Sequence, residues 1–381
     1  MTAPRFDRDD ERLADEYQAP ALWATKGLIL AITVVFAAEL ALALGPLGSL
    51  LTPSLHTLAA FGGASRQLVM GEGEWFRLLT LAFVHAGIIH LAFNSFGLWI
   101  AGRVLEPMLG TGWFLALFFA GAWAGGLASI LINPPNIVGV GASGAIMGLF
   151  GFLLAFAFRV PKGPERKAFI NGGLSVLIPS LAPALLPILS IGSGFQIDYA
   201  AHAGGAAIGM VFAGLSALFW RNIFAPVGFR LVAFAIVAAS AMVLVYGAAV
   251  LASQYDEFDF QSRLIPPTEA PAGDAEFRRR AEEFARRFPD DPRARYERAV
   301  ALIQARDYAG AEREAKRAME LAESHPRSFA REFRDWTRLL VAATQHEQGR
   351  LTEARATSRP LCGKTESAQI KALLSQHKLC D

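Results

Sequence analysis

Charge is what most of this chain lacks. Between Gly27 and Leu251 run long stretches almost free of Asp, Glu, Lys and Arg, whereas from Asp256 onward those residues dominate. The contrast excludes a wholly water-soluble protein and predicts a membrane-embedded region followed by a soluble domain, which also suits the length of 381 residues. Excess charge of either sign is missing too, the formal balance being +2, so nothing argues for nucleic acid as a partner. Cysteine is scarce: Cys362 and Cys380 are the two, both in the charged C-terminal part. Finally, no small-residue cleavage pattern follows the charged stretch Met1–Tyr17, so the first apolar run reads as a retained transmembrane helix.

A hydrocarbon core of about 30 Å takes roughly 20 residues of helix at about 1.5 Å each. Seven spans are predicted on that rule, near Gly27–Leu44, Ala86–Leu105, Gly112–Leu131, Ser143–Phe158, Ala168–Ile191, Ala200–Trp220 and Phe229–Leu251. The fourth is too short to cross unaided. Gly45–Thr80 is too polar for a span and too apolar to float free, so it is expected half-embedded at the interface. Lys and Arg set the orientation. Arg5, Arg8, Arg12 and Lys26 precede the first span, Arg159, Lys162, Arg166 and Lys167 follow the fourth, Arg221 and Arg230 follow the sixth, and Arg103 lies at the inner end of the second. The alternate loops are poor in both: Asn133–Gly141 and Ser190–Tyr199 have neither, and the long first loop has Arg66 and Arg77 alone. The N-terminus is therefore expected in the cytoplasm of a bacterial cell and the C-terminal domain outside its inner membrane. In an oxidising compartment the two cysteines could pair, provided their Cα atoms lie within about 7 Å.

The expected division is a tail over 1–22, a six-helix membrane core over 23–220, a seventh transmembrane helix over 221–253, a proline-stiffened linker over 254–272 and a helical soluble domain over 273–381. Helical patterns there cover Asp274–Arg287, Pro292–Ala305, Tyr308–Leu321, Phe329–Gln348, Leu351–Leu361 and Ser367–His377. Two pairs are similar to tetratricopeptide units. Tyr296, Ala299, Leu302, Tyr308, Ala311 and Ala315 carry one pattern; Leu340, Ala343, Gly349, Leu351 and Ala354 carry a looser one. A plain helical bundle is the alternative.

Polar residues inside spans are expensive, so each needs a reason. Gly141–Gly151, GASGAIMGLFG, sets Ser143 among glycines at the mouth of an apolar run. HAGIIHLAFN places His90 and Asn94 four apart on one helical face, with His85 pointing elsewhere. Metal binding fits poorly, because the histidines are not four apart and no carboxylate accompanies them. In DYAAHAGGAAIGM, His202, Gly205 and Gly209 share a face, a close-packing surface matched by Gly144 and Gly148. Each residue alone has a plainer reading, as packing or as a satisfied core histidine. Together they fit a serine activated by neutral imidazole, with donors aimed at a developing oxyanion. An α/β-hydrolase elbow is excluded, since Ala145 stands where glycine is needed and no strand precedes Ser143. Asp198, one turn before His202, reads better as a helix N-cap than as a triad member.

GASG, AHAGG and HAGIIHLAFN together resemble the rhomboid intramembrane serine proteases, as do EWFRLLT with Arg77 and Thr80 and the acidic Glu106. The resemblance covers about Trp23 to Trp220. It implies an all-α polytopic bundle of rhomboid type, a catalytic Ser143–His202 dyad, and an oxyanion hole of His90, Asn94 and the Ser143 amide. It implies no cofactor and no metal. The partners it implies are transmembrane segments of other proteins, cleaved near the outer face after sideways access from the bilayer. The C-terminal helices suit a further protein partner. The sequence departs from many members at Met147, where a tyrosine would stack on the histidine. Two other readings stand beside the protease: a non-catalytic binder of transmembrane segments, and a membrane-anchored scaffold working through its helical domain.

Overall fold

The computed structural model describes residues 21–135, 137–185, 197–220 and 230–380. The charged tail up to residue 20, the fifth span beyond Leu185, most of Ser190–Tyr199 and Arg221 lie outside the described residues. The chain divides into two units, Met1–Ser253 and Gln254–Asp381.

The first unit is built from α1 (Trp23–Ala41), α2 (Leu55–Ala60), α3 (Arg77–Thr80), α4 (Ile88–Leu109), α5 (Thr111–Ile132), α6 (Ser143–Phe156), α7 (Pro164–Leu185), α8 (Tyr199–Phe219) and α9 (Arg230–Ser262). Among the described residues α1, α4, α5, α8 and α9 are long and apolar enough to cross a membrane. At 14 residues α6 is not. It is apolar on every side, and Gly144 through Leu153 are all buried, as befits a helix enclosed by others rather than one facing lipid. Phe114, Leu117 and Phe118 of α5 and Phe150, Phe152 and Phe156 of α6 fill the centre of this core.

Small residues govern the closest approach. A Cβ at Gly205 would overlap the Gly144 carbonyl oxygen, and one at Gly209 would overlap that of Gly148. A Cβ at Gly148 would stand 3.1 Å from Gly121 Cα, so α5 packs as tightly on the other side. Helices this close gain dispersion from backbone as well as side chains, the main attraction available where lipid removes the hydrophobic drive.

Buried polar side chains pin the flanks. Glu106 on α4 accepts from the Ala24 amide (2.8 Å), the Thr25 amide (2.9 Å), the Thr25 hydroxyl (2.7 Å) and the Thr111 hydroxyl (3.2 Å). One carboxylate thereby satisfies orphan amides at the start of α1, where a negative charge is also favoured by the helix dipole. Arg77, fully buried, pairs with Glu74 (2.5 Å) and donates to the carbonyls of Ala59 (2.5 Å) and Gly63 (2.9 Å). Thr80 donates to the Gly62 carbonyl at 2.8 Å. The segment 45–80 is thus a set of short helices that buries Arg77, Glu74 and Thr80 beside apolar Leu58, Val69 and Leu78, and exposes Leu47, Leu50, Leu51, Leu55, Met70 and Trp75. Arg159, after α6, reaches Ser216 (3.2 Å) and the Trp220 carbonyl (2.6 Å) at the end of α8.

In the second unit the residues expected as a linker are partly structured: α9 continues to Ser262, and Phe260 packs with Leu321, Ala322 and Phe329, Ile265 with Phe284 and Ala294. Then follow α10 (Asp274–Arg279), α11 (Ala281–Arg287), α12 (Pro292–Gln304), α13 (Tyr308–Ser324), α14 (Arg331–Glu347), α15 (Leu351–Ser358) and α16 (Ala368–Gln376). Ala299 and Ala315 pack between α12, α13 and α14, with Tyr296 against them. In the later pair the predicted Ala354 packs with Leu339 and Ala342 and the predicted Leu340 packs with Ala299 and Ala315, whereas Ala343 is half-buried and Leu351 exposed. Cys362 and Cys380 form a disulfide with a Cα separation of 5.6 Å, inside the reach set above.

Glu312 is the hub of this unit's polar interior, held by Lys316 (2.9 Å), Gln348 (3.0 Å) and Arg350. Burial pushes its carboxyl up, but these donors outweigh burial and hold it at about 2.

Two predictions follow from packing and charge. Gly205→Ala should lower the stability of the first unit by about 1–3 kcal/mol through overpacking, read as an earlier unfolding midpoint in detergent; Gly214→Ala, with nothing within 4 Å of the added methyl, should leave it unchanged. Because the Glu312 value is depressed from 4.5, its contribution should be complete above about pH 4.5 and fade as pH falls toward 2. Amide exchange across α13–α15 should show that acid loss, and Glu312→Gln should flatten it.

Candidate active site

Gly141 creates the site's geometry. Its φ of 111° is one that side-chain-bearing residues rarely adopt, and a Cβ there would stand 2.5 Å from Cε1 and 2.6 Å from Nε2 of His90, and 3.4 Å from Nδ2 of Asn94. The two α4 side chains therefore lie directly against the turn that leads into α6. Ser143 is the first residue of that helix; Ala142 caps it without a side-chain bond, so the serine hydroxyl is not consumed as a cap. Its own amide is among those a helix leaves unpaired at its N-terminus.

His202 reaches the same place from α8. Gly144, next to Ser143, is packed on the Ala201 carbonyl oxygen, 3.3 Å from where its Cβ would stand. The α6–α8 contact thus includes Gly144 and Ala201, the chain neighbours of Ser143 and His202. His202 is 7% exposed, and its Nδ1 lies 3.0 Å from the Ser180 carbonyl of α7. A carbonyl can only accept, so Nδ1 carries the proton and Nε2 is left with its lone pair. That is the tautomer a base needs. Among the described residues no hydrogen bond joins the ring to Ser143.

Asp198 caps α8, accepting from the Ala201 amide at 2.9 Å, and its carboxylate also takes Ser129 (2.5 Å) and Asn133 (2.9 Å) from the end of α5. It fixes the helix that carries His202 and makes no hydrogen bond to the ring. Met147 is buried among the apolar core residues of α6. No cluster of three His, Cys, Asp or Glu suited to a metal occurs among the described residues.

Two features escaped the sequence reading. His85 does not point away: α4 starts only at Ile88, so the helical rotation assumed for residue 85 does not apply, and the His85 and His90 rings lie 5.2 Å apart. Nothing in the sequence marks the Ser180 carbonyl, because a backbone acceptor has no residue signature.

The profile described as the Rhomboid domain matches residues 72–221, which hold all four of these polar positions. Similar proteins include the Rhomboid protease GluP of Bacillus subtilis (strain 168), 39% identical over 163 residues, 42% of this chain and 29% of that protein. RHOMBOID-like protein 5 of Arabidopsis thaliana is 35% identical over 163 residues, 42% of this chain and 50% of the relative. Rhomboid-like protease 5 of Toxoplasma gondii is 31% identical over 168 residues, 42% and 18%. The likeness spans half or less of each of these relatives' lengths.

Asp198→Ala should destabilise this domain by about 1–3 kcal/mol, from a lost cap and two stranded donors. Thermal unfolding in detergent checks it, with Asp198→Asn, which keeps an acceptor, expected to lose less.

Proposed function

We propose that this protein is an intramembrane serine endopeptidase that cleaves transmembrane segments of other proteins with a Ser143–His202 dyad. The observation that carries the reading is the meeting of a serine at a helix N-terminus, a histidine whose bare Nε2 is fixed by a Nδ1 bond to the Ser180 carbonyl, and two further donors, all on glycine-packed backbone.

In this reading Ser143 Oγ attacks the scissile carbonyl while His202 Nε2 takes its proton. The tetrahedral oxyanion is received by the Ser143 amide, His90 and one N–H of Asn94, whose other N–H bonds the His90 carbonyl at 3.1 Å. His202 then gives the proton to the leaving amine. Water, deprotonated by the same nitrogen, releases the acyl group. Fixed donors of this kind are worth about 10²–10³ in rate each. At about 1.5 Å per residue the 14 residues of α6 span about 21 Å, too short to cross a hydrocarbon core of about 30 Å, which supports a Ser143 set below the membrane surface.

The orientation rests on the Lys and Arg pattern, and the Cys362–Cys380 disulfide supports a C-terminal unit on the oxidising side. That unit's α12–α13 pair, with small Ala299 and Ala315 at the helix contact and Tyr296 beside them, supports a tetratricopeptide-like role in holding a protein partner.

The test is cleavage of a membrane-spanning reporter, together with labelling by a serine-reactive phosphonate. Wild type should cleave and label. Ser143→Ala and His202→Ala should lose at least about 10³-fold in cleavage while remaining folded. Reporter binding without cleavage or labelling by wild type would favour a transmembrane-segment binder instead.

A further inference from the structure

Glu39 lies inside the apolar run of α1 and is fully buried, a placement that costs several kcal/mol unless it is repaid. Glu106 is repaid by four donors; Glu39 has, among the described residues, one. That donor is the backbone N–H of His85, shared between its two carboxylate oxygens at 3.2 and 3.4 Å. The contact joins α1 to the turn that leads into α4, beside Ile32 and Phe36 of α1 and Leu91 of α4.

From there a continuous path reaches the site. His85 is fully buried, and its Nδ1 is set 3.2 Å from the Phe83 carbonyl, which fixes the ring plane. Its Nε2 is buried with no partner, so the ring is held by the Nδ1 contact and by packing alone. The ring leans on that of His90 with centroids 5.2 Å apart. His90 in turn occupies the space that a Cβ at Gly141 would need, two residues before Ser143. Glu39 holds the His85 peptide, the His85 ring limits where His90 can stand, and His90 faces the turn that presents the serine.

We propose that Glu39 is a positioning residue for His90, acting through His85, on the reading of the site as a protease centre. It touches neither substrate nor reacting atoms. Its task is to hold the α4 entry so that the oxyanion donor is aimed before substrate arrives. Hydrogen-bond acceptance, not charge, performs this task, because the group it serves is a neutral amide.

Three variants and a double-mutant cycle test it. Glu39→Leu removes the acceptor and should lower kcat by about 10- to 100-fold, the scale of a misplacement near 1 Å, with KM little changed. Glu39→Gln still accepts from the His85 N–H and should restore kcat to within about twofold of wild type. Glu39→Leu should also lose nearly all its effect in a His90→Ala background, because the donor it positions is already gone; a merely structural role would give additive losses. Equal losses in Glu39→Gln and Glu39→Leu, or additivity with His90→Ala, would overturn the proposal. Should Glu39→Leu fail to fold, His85→Gln replaces it in the cycle, since His85 is the link required. Absence of cleavage by wild type would instead overturn the protease reading itself, so the two failures are distinct.

Discussion

The contact between α6 and α8 is made backbone to backbone, and the rest of the membrane unit is arranged around it. Gly144 and Gly148 meet Gly205 and Gly209 so closely that one methyl at either α8 position would overlap a carbonyl oxygen. At such a distance the relative rotation and depth of the two helices are fixed, because backbone has no rotamers to yield. Side chains at the start of that contact inherit the precision. Ser143 and His202 adjoin it, each next in the chain to Gly144 or Ala201, whose backbones are in close approach.

What surrounds this contact is a set of buried and half-buried polar clamps, each acting on a helix end. Glu106 holds the start of α1, Asp198 the start of α8 and the end of α5, Arg159 the end of α8, and Arg77 the loop that lies between α1 and α4. Helix ends are where unpaired amides and carbonyls collect, so a single ionised side chain there satisfies several groups at once. In hydrocarbon those groups have no water to fall back on, which makes such clamps worth the burial of their charge. Membrane helices can slide along one another at little cost in apolar area; these clamps remove that freedom.

Much of this was legible in the sequence because hydrocarbon thickness and the rarity of polar residues leave few choices. The long apolar helices α1, α4, α5, α8 and α9, the short α6 and its glycine contact with α8 follow from apolar length and glycine spacing. Other parts were not legible, for definite reasons. The rotation assigned to His85 presumed a helix that begins only at Ile88. Glu39 was one acid in an apolar run, and its partner is a main-chain amide. The helix running on to Ser262 hides in a charged stretch, EFDFQS, that reads as linker when apolarity is the guide. In the second soluble helix pair Leu340 and Ala354 are buried, while Ala343 is half-buried and Leu351 exposed, so only part of the predicted pattern lies in the core.

The hydrogen bond from His202 Nδ1 to the Ser180 carbonyl has a bearing on how such a site endures mutation. The acceptor belongs to the course of α7, not to any side chain, so replacing Ser180 by alanine, valine or leucine leaves the oxygen where it was. An alanine scan would pass over it in silence. The arrangement is thus insulated against point substitution at that position and exposed to a different hazard, a change in the path of the helix. Whatever bends or displaces α7 reaches the histidine's proton directly, without altering a single residue of the site.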